Sequence, residues 1–234
     1  MVLGKKGHAM VEPATEAALR GSFLFPLLDA QERARFIAAA RPRSWAAGAT
    51  IFVVDDPGSA MMLVRSGSVR ISYPTPDGHA FILAELSPGD VFGEIALLDG
   101  GRRSADATAA TDCTLLVFER RDFLPLMEGN WRLAEAVLRV VCARLRQADA
   151  HIADLAFSEL PVRLAKALLA RARTDASGAA QVADSQSTLA AMVGSSREAV
   201  NRCLRKWQGA GLVSIADGRI SIEDAEALAE AAGI

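Results

Sequence analysis

Apolar and polar positions along the chain follow three successive patterns, and their order predicts the domain organisation. Residues 1–20 show no packing pattern and are expected to form a flexible N-terminal arm, after which the apolar cluster at 23–28 begins the folded part. Between residues 43 and 119, short β-rich runs alternate with Gly- and Pro-containing turns, which is typical of a β-barrel, roll or sandwich. We therefore predict a β-rich domain over residues 21–129. Its predicted strands are Thr50 to Val54, Met61 to Val64, Val69 to Tyr73, Ala80 to Leu83 and Leu115 to Phe118.

The second pattern is helical and covers residues 130–157, from an N-cap at Asn130 to about Phe157. Its apolar residues recur at alternating spacings of three and four, which is the seam of a coiled coil and predicts a homodimer. The alternative is a single amphipathic helix that lies on its own β-rich domain. The seam positions are Ala134, Leu138, Val141, Leu145, Ala148, Ile152 and Leu155.

The third pattern covers residues 158–234 and begins with a break at Ser158 to Pro161, which is a candidate hinge. A short helix at Ser187 to Val193, a turn at Gly194 and a second helix to about Gln208 make a helix-turn-helix. This arrangement predicts a small DNA-binding domain.

Two short apolar runs that flank Asp217-Gly218 predict a two-residue hairpin after the second helix, which turns the unit into a winged helix. The predicted fold class is therefore α+β. It comprises an N-terminal jelly-roll-like β-roll, a long dimerisation helix and a C-terminal winged helix-turn-helix.

Charge adds a local signal that the average conceals. The 26 basic and 28 acidic residues leave the chain near neutral, yet the segment from Ser187 to Trp207 has four basic residues and one acidic residue. We expect double-stranded DNA to bind the open face of the second helix. Two alternatives are a capping box in which Ser195 pairs with Glu198, and a protein-interaction module. The candidate DNA-binding residues are Ser196, Arg197, Glu198, Asn201, Arg202 and Arg205.

The three cysteines, Cys113, Cys142 and Cys203, lie far apart without CxxC spacing. This argues against a disulfide framework, a zinc site and a cysteine-bound iron–sulfur cluster, so no metal is expected. No apolar run reaches the roughly 18 residues of a membrane span, and the start of the chain lacks a signal-peptide core. We expect a cytoplasmic protein without a membrane partner.

The longest break between the predicted strands contains Gly93-Glu94 and, ten residues later, Arg103-Ser104-Ala105. Glycine allows the backbone to approach a ligand closely, and an arginine fork matches phosphate oxygens. Amides of a short turn near Ile95 to Leu98 can face an anion, and Glu94 can accept a sugar hydroxyl. The segment predicts a site for a small cyclic phosphate. The alternative is that Arg103 is a solvated charge and Glu94 an ordinary loop carboxylate.

These motifs, in this order, resemble the CRP/FNR family of bacterial regulators over about residues 23 to 223. The matching segments are Phe92 to Leu98 with Arg103-Ser104-Ala105, the helix end Leu155-Ala156-Phe157, and Val193 to Arg202.

The resemblance implies a transcription regulator rather than an enzyme, with a cyclic nucleotide as its allosteric ligand. It also implies a homodimer on a palindromic operator and RNA polymerase as a partner. Arg197, Glu198 and Arg202 match the residues that contact bases. The candidate ligand residues of the β-roll are Gly93, Glu94, Ile95, Ala96, Arg103, Ser104 and Ala105.

The chain departs from cAMP-responsive relatives where the dimerisation helix meets the base of the nucleotide. Ala148 and Asp149 stand where such relatives have small hydroxyl residues. A carboxylate accepts two hydrogen bonds, which suits the N1-H and amino donors of guanine, so cGMP joins cAMP as a candidate ligand. The alternative is that Asp149 faces solvent or pairs with Arg146.

Two other functions are compatible with parts of the pattern. A regulator of this type that works with another ligand, or with none, would have the same sequence features. A cupin-like metalloenzyme would share the small β-barrel, but it needs clustered histidine ligands. The histidines of this chain, His8, His79 and His151, do not cluster in the sequence.

Overall fold

The computed structural model describes residues 19–75, 80–174, 179–216 and 218–233, and it divides the chain into two compact units. The predicted arm of residues 1–20 lies almost wholly outside the described residues. Leu19 is fully buried in the core of the first unit, so the packed structure begins before Phe23 and the predicted boundary was too late. His79 also lies outside the described residues.

The first unit contains residues up to Ser72 together with Ala84–Ala143. In chain order, the strands of this part are Arg41–Trp45 (β1), Thr50–Phe52 (β2), Ala60–Ser66 (β3), Val69–Pro74 (β4), Ala80–Leu86 (β5), Val91–Phe92 (β6), Asp106–Ala109 (β7) and Cys113–Glu119 (β8). These strands form two four-stranded antiparallel sheets with the orders β1-β8-β3-β6 and β2-β7-β4-β5. The predicted β-roll is therefore confirmed.

Strand β3 shows why this sequence forms a two-sided core. Successive side chains of a strand point to opposite faces. Met62 and Val64 join the cluster between the two sheets, whereas Met61 and Leu63 join the cluster that also contains the helices. All four are buried, so the strand has an almost continuous apolar run rather than an alternating one.

Helices cover the outer face of the first sheet. A 3₁₀ turn at Phe25–Leu27 precedes α1 (Ala30–Ala39), which starts with a capping box between Asp29 and Glu32. Its Phe36 ring stacks on Phe118 of β8 with ring centroids 4.5 Å apart. The other helices of this part are α2 (Glu94–Asp99), α3 (Arg120–Gly129) and the long α4 (Trp131–Phe157).

Helix α4 begins as predicted, because the Oδ1 atom of Asn130 accepts hydrogen bonds from the backbone amides at the helix start. Leu133 and Val137 are buried in the core of the first unit. The seam residues Leu138 and Ile152, in contrast, are 57% and 65% exposed. The first half of α4 therefore lies on its own β-roll, as the alternative predicts, and the seam residues leave a separate apolar face exposed. The predicted coiled coil with a second chain stays a prediction.

The second unit contains Tyr73–Leu83 and the chain from Arg144 onward. It confirms the predicted helix-turn-helix, followed by a hairpin in which Ala216 pairs with Arg219; Asp217 lies outside the described residues. The elements are α5 (Leu160–Arg171), β9 (Arg173–Thr174), β10 (Ala180–Val182), α6 (Gln186–Val193), α7 (Arg197–Gly209), β11 (Val213–Ala216), β12 (Arg219–Ile222) and α8 (Ala225–Ala232). The sheet of this unit has the order β11-β12-β10-β9.

Polar side chains of the second unit hold the segment between α4 and α5. The Nζ atom of Lys166 lies 2.7 Å from Oδ1 of Asp154, near the end of α4. Arg163 donates from Nη1 to the carbonyl oxygen of Ser158 and from Nε to that of Val193, the latter at 2.9 Å. Arg163 thus links the predicted hinge directly to the last residue of α6.

Candidate anion site and recognition helix

The guanidinium of Arg103 is the centre of the candidate ligand site, and the protein holds it in place from several sides. Its Nη1 atom donates to the carbonyl oxygens of Ala60 at 2.9 Å and Gly93 at 3.1 Å. The carbon at the centre of the guanidinium lies 4.2 Å from the centroid of the Phe52 ring, within the range of a cation–π contact. The orientation of the fork is therefore fixed before any ligand arrives.

The Nε atom of Arg103 is buried and has no hydrogen-bond partner among the described residues. The whole side chain is only 6% exposed. Leaving a buried donor unpaired costs about 1–3 kcal/mol, and more for a charged group, so such donors are rare outside binding and catalytic sites. The interpretation of Arg103 as a solvated charge is therefore wrong.

Backbone pairing places Arg103 at this point. The amide of Asp55 donates to the carbonyl oxygen of Arg103, and the amide of Arg103 donates to that of Asp56, both at 2.9 Å. The neighbouring Arg102 turns outward and donates to the Asp55 carbonyl oxygen at 2.6 Å. Two adjacent arginines thus have different environments, one buried and one exposed.

Two glycines leave the space that the Arg103 side chain occupies. Gly93 has φ of +74°, and a Cβ atom there would lie 2.5 Å from Nη1 of Arg103. A Cβ atom on Gly58 would lie 2.5 Å from Cβ of Ala96 and 3.0 Å from Nε of Arg103. The predicted role of Gly93 as a point of close approach is consistent with this geometry.

Sequence reasoning did not assign Phe52 or Gly58 to the site. In the sequence, Gly58 belongs only to a turn and Phe52 only to a predicted strand. Neither was connected with Arg103, because both lie more than 40 positions away from it in the chain. A long-range pairing of the Asp55 to Asp56 backbone with Arg103 brings them together, and no local pattern predicts it.

Burial lowers the pKa of Arg103 because it disfavours the charged form, while the negative charges of Asp56, Glu94 and Glu119 oppose the shift. An arginine remains protonated at physiological pH despite such a shift. Glu94 is fully buried at the first position of α2 and makes a polar contact there. It is thus not an ordinary loop carboxylate.

The other predicted ligand residues of this segment fall into two groups. Ala96 and Ala105 are buried, whereas Ile95 is 37% exposed and Ser104 is exposed. Ala96 lies beside Gly58, as does the Arg103 side chain, whereas Ile95 and Ser104 are accessible to solvent.

Ala148 and Asp149 belong to the second unit, where both are exposed on α4. Within the described part of the chain, the Asp149 carboxylate makes no hydrogen bond or ion pair, so the predicted alternative of a pair with Arg146 is not observed. The group is available to a ligand or to another chain.

The recognition helix α7 is amphipathic, with Val200, Leu204 and Trp207 buried in the second core. Ser196 is its N-cap, since its Oγ atom accepts a hydrogen bond from the amide of Ala199 at 3.2 Å. The alternative in which Ser195 and Glu198 form a capping box is therefore wrong.

The polar face of α7 is open to solvent. Arg197, Arg202 and Arg205 are exposed, as is Glu198, and Asn201 is half-buried. Exposed arginines on a helix that docks by its opposite face are what the major groove of DNA requires.

The described residues contain no group of three or more His, Cys, Asp or Glu side chains placed to hold a metal ion. Within the same residues, every helix is too short or too polar to cross a membrane.

Two protein families match consecutive parts of the chain. The cyclic nucleotide-binding domain family matches residues 42–130, and the Crp-like helix-turn-helix domain family matches residues 162–231. The first match contains Arg103 and its surroundings. The second contains the whole of α7.

Characterised relatives extend over nearly the full chain. The chain is 36% identical over 214 residues to the cyclic AMP receptor protein of Thermus thermophilus, covering 92% of this chain and 98% of the relative. It is 33% identical over 197 residues to a CRP-like cAMP-activated global transcriptional regulator of Mycobacterium tuberculosis, covering 82% and 88%. A crystal structure of a CRP/FNR-family transcriptional regulator from Thermus thermophilus superimposes with a TM-score of 0.68 at 29% identity, covering 83% of this chain and 99% of the other.

Proposed function

The chain belongs to the CRP/FNR family of transcription regulators, and from this premise we propose that it is a homodimer whose binding to a palindromic DNA site is controlled by a cyclic nucleotide in the β-roll. The observation that carries the proposal is the buried Nε–H of Arg103, which has no hydrogen-bond partner among the described residues. An anionic phosphate oxygen would satisfy this donor, which a structural arginine would not leave free.

We propose cAMP as the ligand. The relatives from Thermus thermophilus and Mycobacterium tuberculosis are named for cAMP, and both align over most of this chain. The cyclic phosphate would lie against Arg103, and Gly93 would let the backbone approach it. Ser104 and Glu94 are the candidate partners of the remaining phosphate and ribose oxygens.

One observation favours cGMP as a second candidate ligand. The Asp149 carboxylate is exposed and unpaired within the described part of its own chain. It could accept hydrogen bonds from N1-H and the amino group of guanine. The side chain of Ala148 has no hydrogen-bonding group for either base.

The output of the proposed regulator is DNA recognition by α7. The ligand would act as a population shift, because it stabilises the dimer arrangement in which two recognition helices match half-sites one DNA turn apart. Arg197, Glu198 and Arg202 would contact bases, and a half-site with G and C at the matching places is expected. Ser196, Asn201 and Arg205 would contribute further DNA contacts. RNA polymerase is the proposed protein partner, and the cytoplasm the proposed location.

Calorimetric titration of the nucleotide-free protein with cAMP and with cGMP tests the proposal. We expect micromolar binding of cAMP, which Arg103→Ala abolishes and the matched variant Arg102→Ala preserves. Within the described part of the chain, Arg103 has a buried unpaired donor, whereas Arg102 is exposed and donates to the Asp55 carbonyl oxygen. Tighter binding of cGMP would instead support the role of Asp149 in base selection. If neither nucleotide binds, the protein is a family member with another ligand or none.

A further inference from the structure

The open face of α4 has the register of a two-stranded coiled coil. Its apolar residues define the heptad, with Leu138, Leu145 and Ile152 at a positions and Val141, Ala148 and Leu155 at d positions; Val141 is half-buried and the other five are exposed. In this frame Arg144 occupies a g position and Asp149 the e position that follows it.

In a parallel dimer, a residue at g lies beside the e residue of the partner helix in the next heptad, five positions further along. Arg144 of one chain and Asp149 of the other are separated by five positions. The two-fold symmetry of a homodimer would create this contact twice.

The same two residues cannot pair within one helix. Side chains meet along a helix at spacings of three and four, whereas five positions place them about 140° apart around the axis. Asp149 is exposed and has no hydrogen bond or ion pair in the described part of its chain. Arg144 already makes a contact of its own, but a guanidinium has five N–H donors and can serve a second acceptor.

We propose that Asp149 forms an interchain ion pair with the partner's Arg144, and that this pair selects a second copy of this chain in parallel orientation. The proposal rests on the homodimer proposed above and gives Asp149 a role other than base recognition. The neighbouring g and e positions hold Val137 with Cys142 and His151 with Ala156. Of these three g–e pairs, Arg144 with Asp149 is therefore the one that joins a basic and an acidic residue. The choice of partner and of its orientation depends on this pair.

An antiparallel dimer would bring g positions of the two chains together. A contact of Arg144 with another Arg144 would then bring like charges together, which is unfavourable in an interface. The charge pattern therefore disfavours this orientation.

The test uses two charge-reversal variants, Arg144→Asp and Asp149→Arg, in the full-length protein. Each homodimer would contain two like-charge contacts, and we expect its dissociation constant to rise about tenfold at low salt. In a heterodimer of the two variants, both contacts are attractive again. An equimolar mixture should therefore contain about nine heterodimers in ten by native mass spectrometry, instead of the statistical half.

The matched control replaces Arg144→Asp with Arg146→Asp, which reverses an exposed charge two positions away that lies off the seam. A mixture of Arg146→Asp with Asp149→Arg should show no selection. If Arg144→Asp and Asp149→Arg also mix statistically while the unmodified protein is a dimer, the ion pair is refuted and the proposed function stands. If the unmodified protein is monomeric at micromolar concentration with nucleotide present, the homodimer itself is refuted.

A second readout separates the ion pair from base recognition. Asp149→Asn should weaken dimerisation and leave the ratio of cAMP to cGMP affinity unchanged. A shift of that ratio by about tenfold or more, without a change in dimerisation, would contradict the ion pair and assign the carboxylate to guanine.

Discussion

The two candidate sites use arginine in opposite ways. In the β-roll, Arg103 is 6% exposed, is bonded to two backbone carbonyl oxygens and is stacked on Phe52. On the recognition helix, Arg202 and Arg205 are exposed and extend from a helix that is fixed by its other face. The β-roll site fixes its cation in advance, whereas the cations of the recognition helix are exposed to solvent.

The sizes of the two targets explain the difference. A cyclic phosphate offers few groups, so affinity depends on donors that are already oriented when it binds. DNA offers a long row of phosphates and base edges, and its association draws on the release of counterions by many charges. Rigid placement of each arginine before binding is unnecessary there, because exposed side chains can adjust when the helix meets the DNA.

The largest expected effect comes from replacing each kind of arginine by lysine. Arg103→Lys keeps the charge but loses the planar fork, the ring stacking and the second donor, so we expect cyclic nucleotide affinity to fall about a hundredfold. Arg205→Lys keeps a phosphate contact and should change DNA affinity by less than about threefold. Calorimetry measures the first and fluorescence anisotropy with labelled DNA the second.

The salt dependence of DNA binding is the control for this pair. Arg205→Lys should keep the slope of log affinity against log salt, because the number of charges is the same, whereas Arg205→Ala should reduce the slope by about one. Equal losses of function for both lysine variants would contradict the comparison, since they would show that the two sites depend on arginine geometry to the same extent.

The next effect concerns the backbone that surrounds the arginine. Gly93→Ala places a Cβ atom where Nη1 of Arg103 now lies, at a residue with φ of +74°, so we expect a loss of about 1–3 kcal/mol in the free energy of unfolding of the first unit. Gly209→Ala, at the end of α7 with open space around it, should be neutral or stabilise by up to about 1 kcal/mol. Urea unfolding followed by circular dichroism compares them.

Destabilisation by Gly93→Ala without any loss of nucleotide affinity would separate the glycine from the ligand site. We expect both to change together, because the new methyl group displaces the guanidinium itself.

Much of the fold follows from local sequence. Strands such as β3 were predicted because their residues form short apolar runs between turn residues, and α4 because its seam is periodic. Strand β1 at Arg41–Trp45 was not predicted, because its side chains are mostly polar and exposed. It is an edge strand, and its pairing with β8 places it.

The site shows the same limit. Gly93, Glu94 and Arg103 were predicted because they lie in one short segment. Phe52 and Gly58 were missed because a backbone pairing between distant segments brings them to Arg103. Contacts that depend on tertiary pairing have no local periodicity, so they become visible only in the folded chain.

A smaller effect tests the contribution of one of these missed residues. Phe52→Leu keeps an apolar side chain but removes the ring over Arg103, and we expect about a tenfold loss of nucleotide affinity. Phe52→Tyr keeps the ring and should retain affinity within about threefold. If the leucine and tyrosine variants bind alike, the ring only fills space and the guanidinium is fixed by its hydrogen bonds alone.

The smallest effect lies in the second unit, where charges are more exposed. Hydrogen bonding to Lys166 lowers the pKa of Asp154 below its ordinary value. A depressed folded-state pKa stabilises the folded protein above the unfolded pKa of about 4, and this contribution is lost as the pH falls through the folded value. Asp154→Asn should therefore reduce the free energy of unfolding by less than about 1 kcal/mol at pH 7, since the pair is partly exposed. The difference from the unmodified protein should shrink toward pH 3. Urea titrations at several pH values measure it. In the Lys166→Met background the same substitution should have a smaller effect, because the ion pair is already absent while the hydrogen bond from the Ser158 hydroxyl to Asp154 is still lost.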